Sequence, residues 1–196
     1  MVVGGGQVAL RKVKALLEYA ANVEVISPDL CSELSQLADY GEIHFQQRKY
    51  RPGDLQGAVI AIIATSDSNT NLEVVKEARR EAVLVNVVDD AEYSDFITPS
   101  YMRRGDVTVA ISTGGKSPAL ARKLRTILEK YLGDEYAALA LLADEVRAEV
   151  KKQGIKVNGD DWQEALDIDL LGNLLRRGDN EKAKNVLLSN LKMRQK

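Results

Sequence analysis

Short apolar runs alternate with longer segments of helical patterning through the first 112 residues of the chain. The runs at 58–64 (AVIAIIA) and 83–88 (VLVNVV) contain almost no polar residue. Runs of this kind are typical of strands that are buried on both faces of a parallel sheet. Strands that alternate with helices predict right-handed βαβ crossovers, and hence an α/β fold with a Rossmann-like, doubly wound parallel sheet.

The pattern changes after Ser112, because only helical segments follow. We therefore expect a Rossmann domain at 1–100, a small central α/β segment at 101–133 and a C-terminal helical segment at 134–196. The predicted strands are 1–3, 23–26, 42–45, 58–64, 83–88 and 107–112. The predicted helices are 7–20, 30–40, 69–81, 117–132, 134–153, 160–177 and 179–192. The first strand is shorter than the usual length of about five residues, so we expect that residues upstream of Met1 are missing.

A glycine turn follows the first predicted strand. Residues 4–9 (GGGQVA) match the pattern G-x-G-x-x-G/A at a strand-to-helix junction. In dinucleotide-binding domains the first glycine, here Gly4, allows the tight turn, and the second, here Gly6, lets the backbone approach a pyrophosphate. The helix that follows offers free N–H groups and the positive end of its dipole to the phosphates. The turn therefore predicts a dinucleotide site; the alternative is a tight turn that binds nothing.

Polar residues at the ends of later strands are candidates for the same site, because ligands of open α/β sheets bind beyond the carboxyl ends of the strands. Asp29 follows the second strand and is either a ligand of the ribose hydroxyls or the N-cap of the next helix. Thr65 follows the fourth strand and should lie near the cofactor. Asp89 and Asp90 follow the fifth, where a carboxylate is either a general base or a cap for the next segment. No arginine that could bind a 2′-phosphate lies between the second strand and Arg48, which favours NAD over NADP.

A second glycine turn, 112–118 (STGGKSP), opens a helix and carries Lys116. Ser117 and Pro118 form an N-cap and N1 pair, and the helix N-terminus and the lysine favour a bound anion. Further basic residues lie close in the sequence, which suggests a polyanionic small substrate. The alternative is a well-capped helix with a solvated basic face. These basic residues are Arg103, Arg104, Arg122, Lys123 and Arg125.

Composition excludes several classes of protein. The net charge of −2 does not fit a general nucleic-acid binder, and no apolar run approaches the about 20 residues of a membrane span. No signal peptide is evident at the N-terminus. The single cysteine, Cys31, excludes an intramolecular disulfide and a multi-cysteine zinc site, and fits a cytoplasmic location. His44 is the only histidine.

Four blocks of sequence together resemble the precorrin-2 dehydrogenase / sirohydrochlorin ferrochelatase family, in the stand-alone form of the N-terminal module of sirohaem synthase. The resemblance is strong over residues 1–132 and only general, in helical character and length, beyond them. The combination of GGG-x-VA-x-RK with STGGKSP-x-LAR is its most specific part. The four blocks are VVGGGQVALRKVKALLEYAANVEVISP (2–28), ATSDSNTN (64–71), NVVDDAEYSDFITPS (86–100) and RGDVTVAISTGGKSPALARKLR (104–125).

The resemblance implies a homodimer that uses NAD to oxidise precorrin-2, a macrocycle with eight carboxylates, to sirohydrochlorin on the way to sirohaem. It selects Asp89 as the catalytic aspartate. It also implies NAD contacts at Gln7, Val8, Pro28 and Asp29. Thr113 matches a hydroxyl residue of the substrate-side loop. We expect the substrate to contact Arg104, Thr113, Gly114, Lys116 and Ser117.

Two alternatives remain open. A bifunctional enzyme would also insert Fe²⁺ into sirohydrochlorin, and a non-enzymatic redox sensor would bind NAD and contact a partner through the helical tail. Asp89 and the basic cluster favour an enzyme, because a sensor needs neither. Metal insertion needs a base for the pyrrole protons, but His44 lies on a strand that we expect to be far from Asp89, so His44 is expected to be structural and chelation weak or absent.

Overall fold

The computed structural model describes residues 1–194 and forms two compact units, Met1–Thr98 and the part of the chain from Pro99 onward. The strands are β1 (Val2–Val3), β2 (Glu24–Ser27), β3 (His44–Gln47), β4 (Ile60–Ile63), β5 (Leu84–Val87), β6 (Ser100–Arg104) and β7 (Val107–Ile111). The helices are α1 (Gln7–Leu17), α2 (Ser32–Asp39), α3 (Ser68–Glu81), α4 (Pro118–Leu128), α5 (Glu135–Lys152), α6 (Gly159–Ala165), α7 (Ile168–Arg176) and α8 (Asn180–Lys192).

The first unit is built on a five-stranded sheet in the order β3-β2-β1-β4-β5. All four strand pairs are parallel, so every strand presents its carboxyl end at the same edge. This arrangement confirms the α/β, Rossmann-like fold. It also explains how two residues suffice for β1, since Val2 and Val3 pair with β2 on one side and with β4 on the other.

Alternating side chains of the sheet enter two hydrophobic cores. Val2, Val25 and Ile62 pack in a core with buried residues of α1 and α2. Their neighbours in the strands, Val3 and Ile63 among them, pack in a second core with residues of α3. Because both faces are covered, the strands are apolar at successive positions, which is the pattern that made them recognisable in the sequence.

A buried carboxylate on α3 holds the segment before β4. Glu77 is 4% exposed and accepts hydrogen bonds from Tyr50 Oη (2.6 Å), Gly53 N (2.9 Å) and Leu55 N (3.1 Å). Burial alone would raise the pKa of Glu77, but the hydrogen bonds outweigh it and lower that pKa. Burial and, as a smaller effect, the hydrogen bond to Glu77 raise the pKa of Tyr50. This ionised side chain therefore helps to hold the chain between β3 and β4, together with the 2.6 Å ion pair of Arg48 and Asp54.

Glu77→Ala is expected to lower the free energy of unfolding by about 2–4 kcal/mol, because buried donors would lose their acceptor. Glu73→Ala, one turn earlier on α3 at an exposed position, is the matched control and should have little effect. Urea denaturation at neutral pH measures both. In the wild type, the contribution of Glu77 is present above the pKa of the unfolded state and is lost as the pH falls through the folded-state pKa. Equal stability of the two variants would show that the hydrogen bonds contribute nothing net.

The second unit contains an antiparallel hairpin of β6 and β7, followed by helices α4 to α8. The predicted strand at 107–112 forms as β7, but it pairs antiparallel with β6 and does not follow a βαβ crossover. Gly105 and Asp106 alone connect β6 to β7, a turn too short for the crossover that parallel strands need. Gly105 has a φ of +57°, which a glycine adopts easily in such a turn. β6 was missed because its residues, SYMRR, are mostly polar.

Helices α5 to α8 of the second unit share one core of buried side chains. The single helix predicted at 160–177 is wrong, since the chain forms α6 and α7 with a break at Leu166 and Asp167. Asp167 accepts a hydrogen bond from Leu170 N and so begins a new helix as its N-cap. The further division of the chain at residue 133 stays a prediction. Within residues 1–194, none of the helices has the length and apolar character to cross a membrane.

Candidate active site

The first two glycines of the turn after β1 are required by the fold. Gly4 has a φ of +121°, and a Cβ there would lie 2.3 Å from the carbonyl oxygen of Ala64. A Cβ on Gly5 would lie 1.9 Å from the carbonyl oxygen of Asp29. Both glycines are buried, so the turn is tight because neighbouring backbone occupies the space of a side chain.

Gly6 is different, because the fold does not need a glycine there. A Cβ on Gly6 would meet nothing within 4 Å, and its φ of −87° suits any residue. Gly6 is exposed and is the N-cap of α1, and no side chain caps that helix. By contrast, Asp67 caps α3 and Ser117 caps α4. Open space beside an uncapped helix N-terminus fits a pyrophosphate, whose oxygens accept hydrogen bonds from the free N–H groups of the first turn.

The loop after β2 lies against this turn. Pro28 and Asp29 are exposed, and Cys31 N donates to Gly5 O at 2.7 Å. The alternative role for Asp29, as the N-cap of α2, is wrong, because Cys31 occupies that position and α2 has no side-chain cap. The exposed side chain of Asp29 therefore lies at the edge of the sheet where the nucleotide ribose binds in Rossmann domains.

Thr65 lies directly beside the glycine turn, since a Cβ on Gly4 would be 3.3 Å from Thr65 N. Its hydroxyl accepts from Asp67 N at 3.0 Å, and its carbonyl accepts from Asn71 Nδ2 at 3.3 Å. Gln7 and Val8 form the first turn of α1 next to it, exposed and half-buried respectively. The structure thus brings the predicted cofactor residues together at one edge of the sheet.

Two adjacent aspartates after β5 have different roles. The side chain of Asp90 accepts from the N–H groups of Glu92 (3.1 Å) and Tyr93 (3.3 Å), so Asp90 is the cap that the sequence allowed for. Asp89 is exposed and has a φ of +61°. A left-handed conformation is uncommon outside glycine but is tolerated by aspartate and asparagine. The turn therefore separates the two carboxylates and leaves that of Asp89 at the surface.

Lys12 on α1 contacts the segment that carries Asp89. Its Nζ donates to Thr98 Oγ1 at 3.0 Å. Burial lowers the pKa of the Lys12 ammonium, the charge of Arg11 lowers it further, and the Asp89 carboxylate opposes both. Lys12 therefore places a positive charge close to Asp89 and ties the helix of the glycine turn to the loop after β5.

In the second unit, the turn 112–118 uses its own polar groups for internal hydrogen bonds. Thr113 Oγ1 accepts from Ser117 N at 3.0 Å, and Ser117 Oγ accepts from Leu120 N at 3.2 Å. Gly114 N donates to Ser112 Oγ at 3.2 Å. Fewer N–H groups thus remain for an anion than the sequence suggested. The Thr113 hydroxyl keeps its own proton, which it can donate to a ligand, and Lys116 is exposed.

Arg104 lies at the opposite end of the hairpin from this turn. Arg104 pairs with Val107 beside the hairpin turn, whereas Ile111, next to the glycine turn, pairs with Ser100. Four residues of strand, about 13 Å, separate the two ends. The Arg104 guanidinium donates to Leu132 O at 3.1 Å and lies 3.6 Å from an Asp134 carboxylate oxygen. Within the hairpin, the structure therefore does not bring Arg104 together with the glycine turn.

The basic cluster is also partly neutralised. Arg125 forms a 2.6 Å ion pair with Glu129, and Arg103 lies 3.8 Å from Asp106. Arg122, Lys123 and Lys116 are exposed.

His44 is exposed on β3, at one edge of the sheet, whereas Asp89 follows β5 at the other edge. Among the described residues, no group of three or more histidine, cysteine, aspartate or glutamate side chains is placed to hold a metal ion.

Two family models match the chain. The first, described as "Putative NAD(P)-binding", covers residues 1–100, which is more than half of the chain and includes the glycine turn and Asp89. The chain belongs to this NAD(P)-binding family. The second, described as sirohaem biosynthesis protein central, covers residues 104–131, from the hairpin through α4.

The NAD(P)-binding protein is also similar to longer proteins. It is 35% identical to the siroheme synthase of Pseudoalteromonas atlantica over 193 residues, which cover 97% of this chain and 42% of the relative. It is 39% identical to siroheme synthase 1 of Aeromonas salmonicida over 188 residues, 95% of this chain and 40% of the relative. The chain thus spans about two fifths of these relatives. The family resemblance read from the sequence is confirmed.

The fold of the NAD(P)-binding protein is shared with a solved structure, "SirC, precorrin-2 dehydrogenase". The TM-score is 0.70, the sequence identity is 22%, and the match covers 98% of this chain and 92% of that chain. This likeness confirms the architecture of a Rossmann-like sheet followed by a helical segment.

Two residues at the site were not singled out from the sequence. Lys12 stood inside the quoted GGG-x-VA-x-RK block but was given no role, because only its contact with Thr98 places it near Asp89. Glu33 was overlooked because it reads as an ordinary residue of the first turn of α2. Its 3.3 Å hydrogen bond from Gln7 Nε2 joins residues 26 positions apart, and no local pattern predicts such a contact.

Proposed function

We propose that this chain oxidises precorrin-2 to sirohydrochlorin in sirohaem biosynthesis, with NAD as the hydride acceptor. The observation that carries this proposal is that two features lie at the same edge of the sheet. These are the open, uncapped glycine turn at Gly6 and the exposed carboxylate of Asp89. The names of the siroheme synthase relatives support the pathway, and the solved structure with the same fold is named for this reaction. The single cysteine fits a location in the cytoplasm.

The residues present fit the dinucleotide. The free N–H groups of the first turn of α1 would hold the pyrophosphate over Gly6, and Asp29 would accept hydrogen bonds from the ribose hydroxyls. When bound, the nicotinamide supplies a hydride acceptor. Oxidation removes one hydride and one proton from the macrocycle. In this proposal Asp89 accepts the proton, since an ionised carboxylate has only acceptor oxygens.

The second unit would bind the substrate's carboxylates. Lys116, Arg122 and Lys123 are exposed cations near the N-terminal half of α4, and the Thr113 hydroxyl in the turn before it keeps a proton that it can donate. The N–H groups of Gly114 and Ser117 contribute only if they exchange their bonds to Ser112 and Thr113 for the substrate. Arg104 remains part of this proposal only if its guanidinium exchanges its contacts with Leu132 and Asp134 for the substrate.

The experiment is direct. Purified protein mixed with precorrin-2 and NAD under anaerobic conditions should yield NADH absorbance and an equal amount of sirohydrochlorin. The redox-sensor alternative predicts NAD binding without turnover. A chain that binds NAD but leaves precorrin-2 unchanged would therefore overturn the enzymatic proposal and keep the cofactor assignment.

Chelation should be slow with this chain. The only histidine lies at the opposite edge of the sheet from Asp89, so Asp89 would have to serve as the base for metal insertion as well. We expect cobalt or iron insertion into sirohydrochlorin by the purified protein to stay close to the rate without protein. Rapid insertion, followed by the change in the sirohydrochlorin spectrum, would establish the bifunctional alternative.

We also propose that the chain forms a homodimer. An apolar stripe is exposed on α4 and the turn after it, at positions three and four residues apart, and a second copy would cover it. Sedimentation of the purified chain tests this. The stripe consists of Leu120, Leu124, Ile127 and Tyr131.

A further inference from the structure

A carboxylate on α2 lies against the start of α1, next to the glycine turn. Glu33 lies in the first turn of α2 and is half-buried. Its Oε2 accepts from Ser32 Oγ at 2.8 Å and from Gln7 Nε2 at 3.3 Å. The Ser32 hydroxyl, with smaller help from Gln7, lowers the pKa of Glu33. An ionised carboxylate is therefore held against the first residue of α1.

The segment that carries Glu33 is fixed to the glycine turn. Cys31 N donates to Gly5 O at 2.7 Å, and the Asp29 carbonyl packs where a side chain of Gly5 would lie. From residue 27 to residue 40 the sequence contains no lysine or arginine. Lys14 on α1 is the cation whose charge reaches Glu33, as the smallest of the influences that lower its pKa. Within residues 27–40 the charged side chains are those of Asp29, Glu33 and Asp39.

We propose that Glu33 sets the preference for NAD over NADP by repelling a 2′-phosphate. This inference rests on the proposed cofactor. The adenosine ribose of a Rossmann domain lies beyond the second strand, where Asp29 and Glu33 are found, and a 2′-phosphate would bring between one and two further negative charges there. Asp29 and Glu33 act differently: Asp29 accepts hydrogen bonds from ribose hydroxyls, whereas Glu33 contributes charge from a position behind Gln7.

A substitution at Glu33 can therefore separate the effect of its charge from ribose binding by Asp29. Glu33→Gln removes the charge but keeps an oxygen that can accept from Gln7. Repulsion between a carboxylate and a nearby phosphate in water corresponds to about a tenfold change in affinity. We expect Glu33→Gln to raise the affinities for NADP and adenosine 2′,5′-bisphosphate about tenfold more than those for NAD and AMP, which share the other phosphates but lack the 2′-phosphate.

The matched control is Asp39→Asn, which makes the same change of charge at the other end of α2. It should leave all four affinities unchanged, because an exposed charge at that distance is screened. Glu33→Lys should bind NADP more tightly still. For the wild type, the preference for NAD should shrink as salt is added, since the discrimination is electrostatic.

Three outcomes would overturn the inference. A ratio of NAD to NADP affinity that is the same in Glu33→Gln and the wild type would remove Glu33 from the discrimination. An equal loss of affinity for both nucleotides would make Glu33 a support for Gln7 only. An equal shift of the NAD to NADP affinity ratio in Asp39→Asn would show that the effect comes from the net charge of the protein and not from Glu33. If the wild type binds neither nucleotide, the proposed cofactor itself fails, which is a separate result.

Discussion

Asp89→Asn is expected to lower the turnover of precorrin-2 by about 10²- to 10⁴-fold, the usual contribution of a general base, with NAD affinity little changed. Asparagine keeps the shape of the side chain and removes its basicity. It also suits the backbone, because the φ of +61° at Asp89 is one that asparagine tolerates and most other residues do not. A loss of activity in this variant would therefore report on chemistry and not on a distorted turn.

Asp90→Asn is the matched control for this prediction. The Asp90 side chain accepts from the N–H groups of Glu92 and Tyr93, and the asparagine oxygen can accept the same bonds. At saturating NAD and precorrin-2, the steady-state rate of Asp90→Asn should be near that of the wild type, whereas the rate of Asp89→Asn should be far lower. If Asp89→Asn also turns over at a near wild-type rate, Asp89 is not the base, and the proton leaves to water or to another group.

Gly6→Val is expected to abolish measurable NAD binding while the fold is kept. The open space around Gly6 accepts a side chain without a clash with protein atoms, and its φ of −87° is ordinary. The valine side chain would occupy the space that the pyrophosphate needs. Calorimetric titration with NAD measures the loss, and circular dichroism confirms that the variant is folded.

Gly159→Val provides the control, because Gly159 also has open space around it but lies at the start of α6 in the second unit. It should bind NAD like the wild type. Gly4→Val should behave differently from both and fail to fold normally, since its Cβ would lie 2.3 Å from the Ala64 carbonyl oxygen. Unchanged NAD affinity in Gly6→Val would remove the cofactor from the glycine turn.

The sheet of the first unit could be predicted from the sequence because burial on both faces leaves a plain signal. Strands such as β4, IAII, are continuously apolar, and the glycine turn follows β1 at the expected spacing. The positions of Thr65 and Asp89 then follow from the rule that parallel strands present their carboxyl ends at one edge. Elements whose residue pattern is set by burial can therefore be predicted from a single sequence.

The parts that were missed depend on contacts between residues distant in the sequence. β6 is half-exposed and polar, so it carries no periodic signal, and its pairing with β7 decides its structure. The break between α6 and α7 is made by one cap, Asp167, inside a run of good helix formers. Arg104 belongs to the basic cluster in the sequence, but strand pairing places it at the end of the hairpin opposite the turn 112–118.

Transfer of the hydride itself is the most direct test of the account. Precorrin-2 that carries deuterium at the carbon expected to lose the hydride would be mixed anaerobically with NAD and the purified protein, and the reduced nucleotide would be weighed by mass spectrometry. The account predicts NADH that is heavier by one deuterium and formed in equal amount to sirohydrochlorin. Sirohydrochlorin formed without labelled NADH, or no reduced nucleotide at all from a protein that binds NAD, would contradict it.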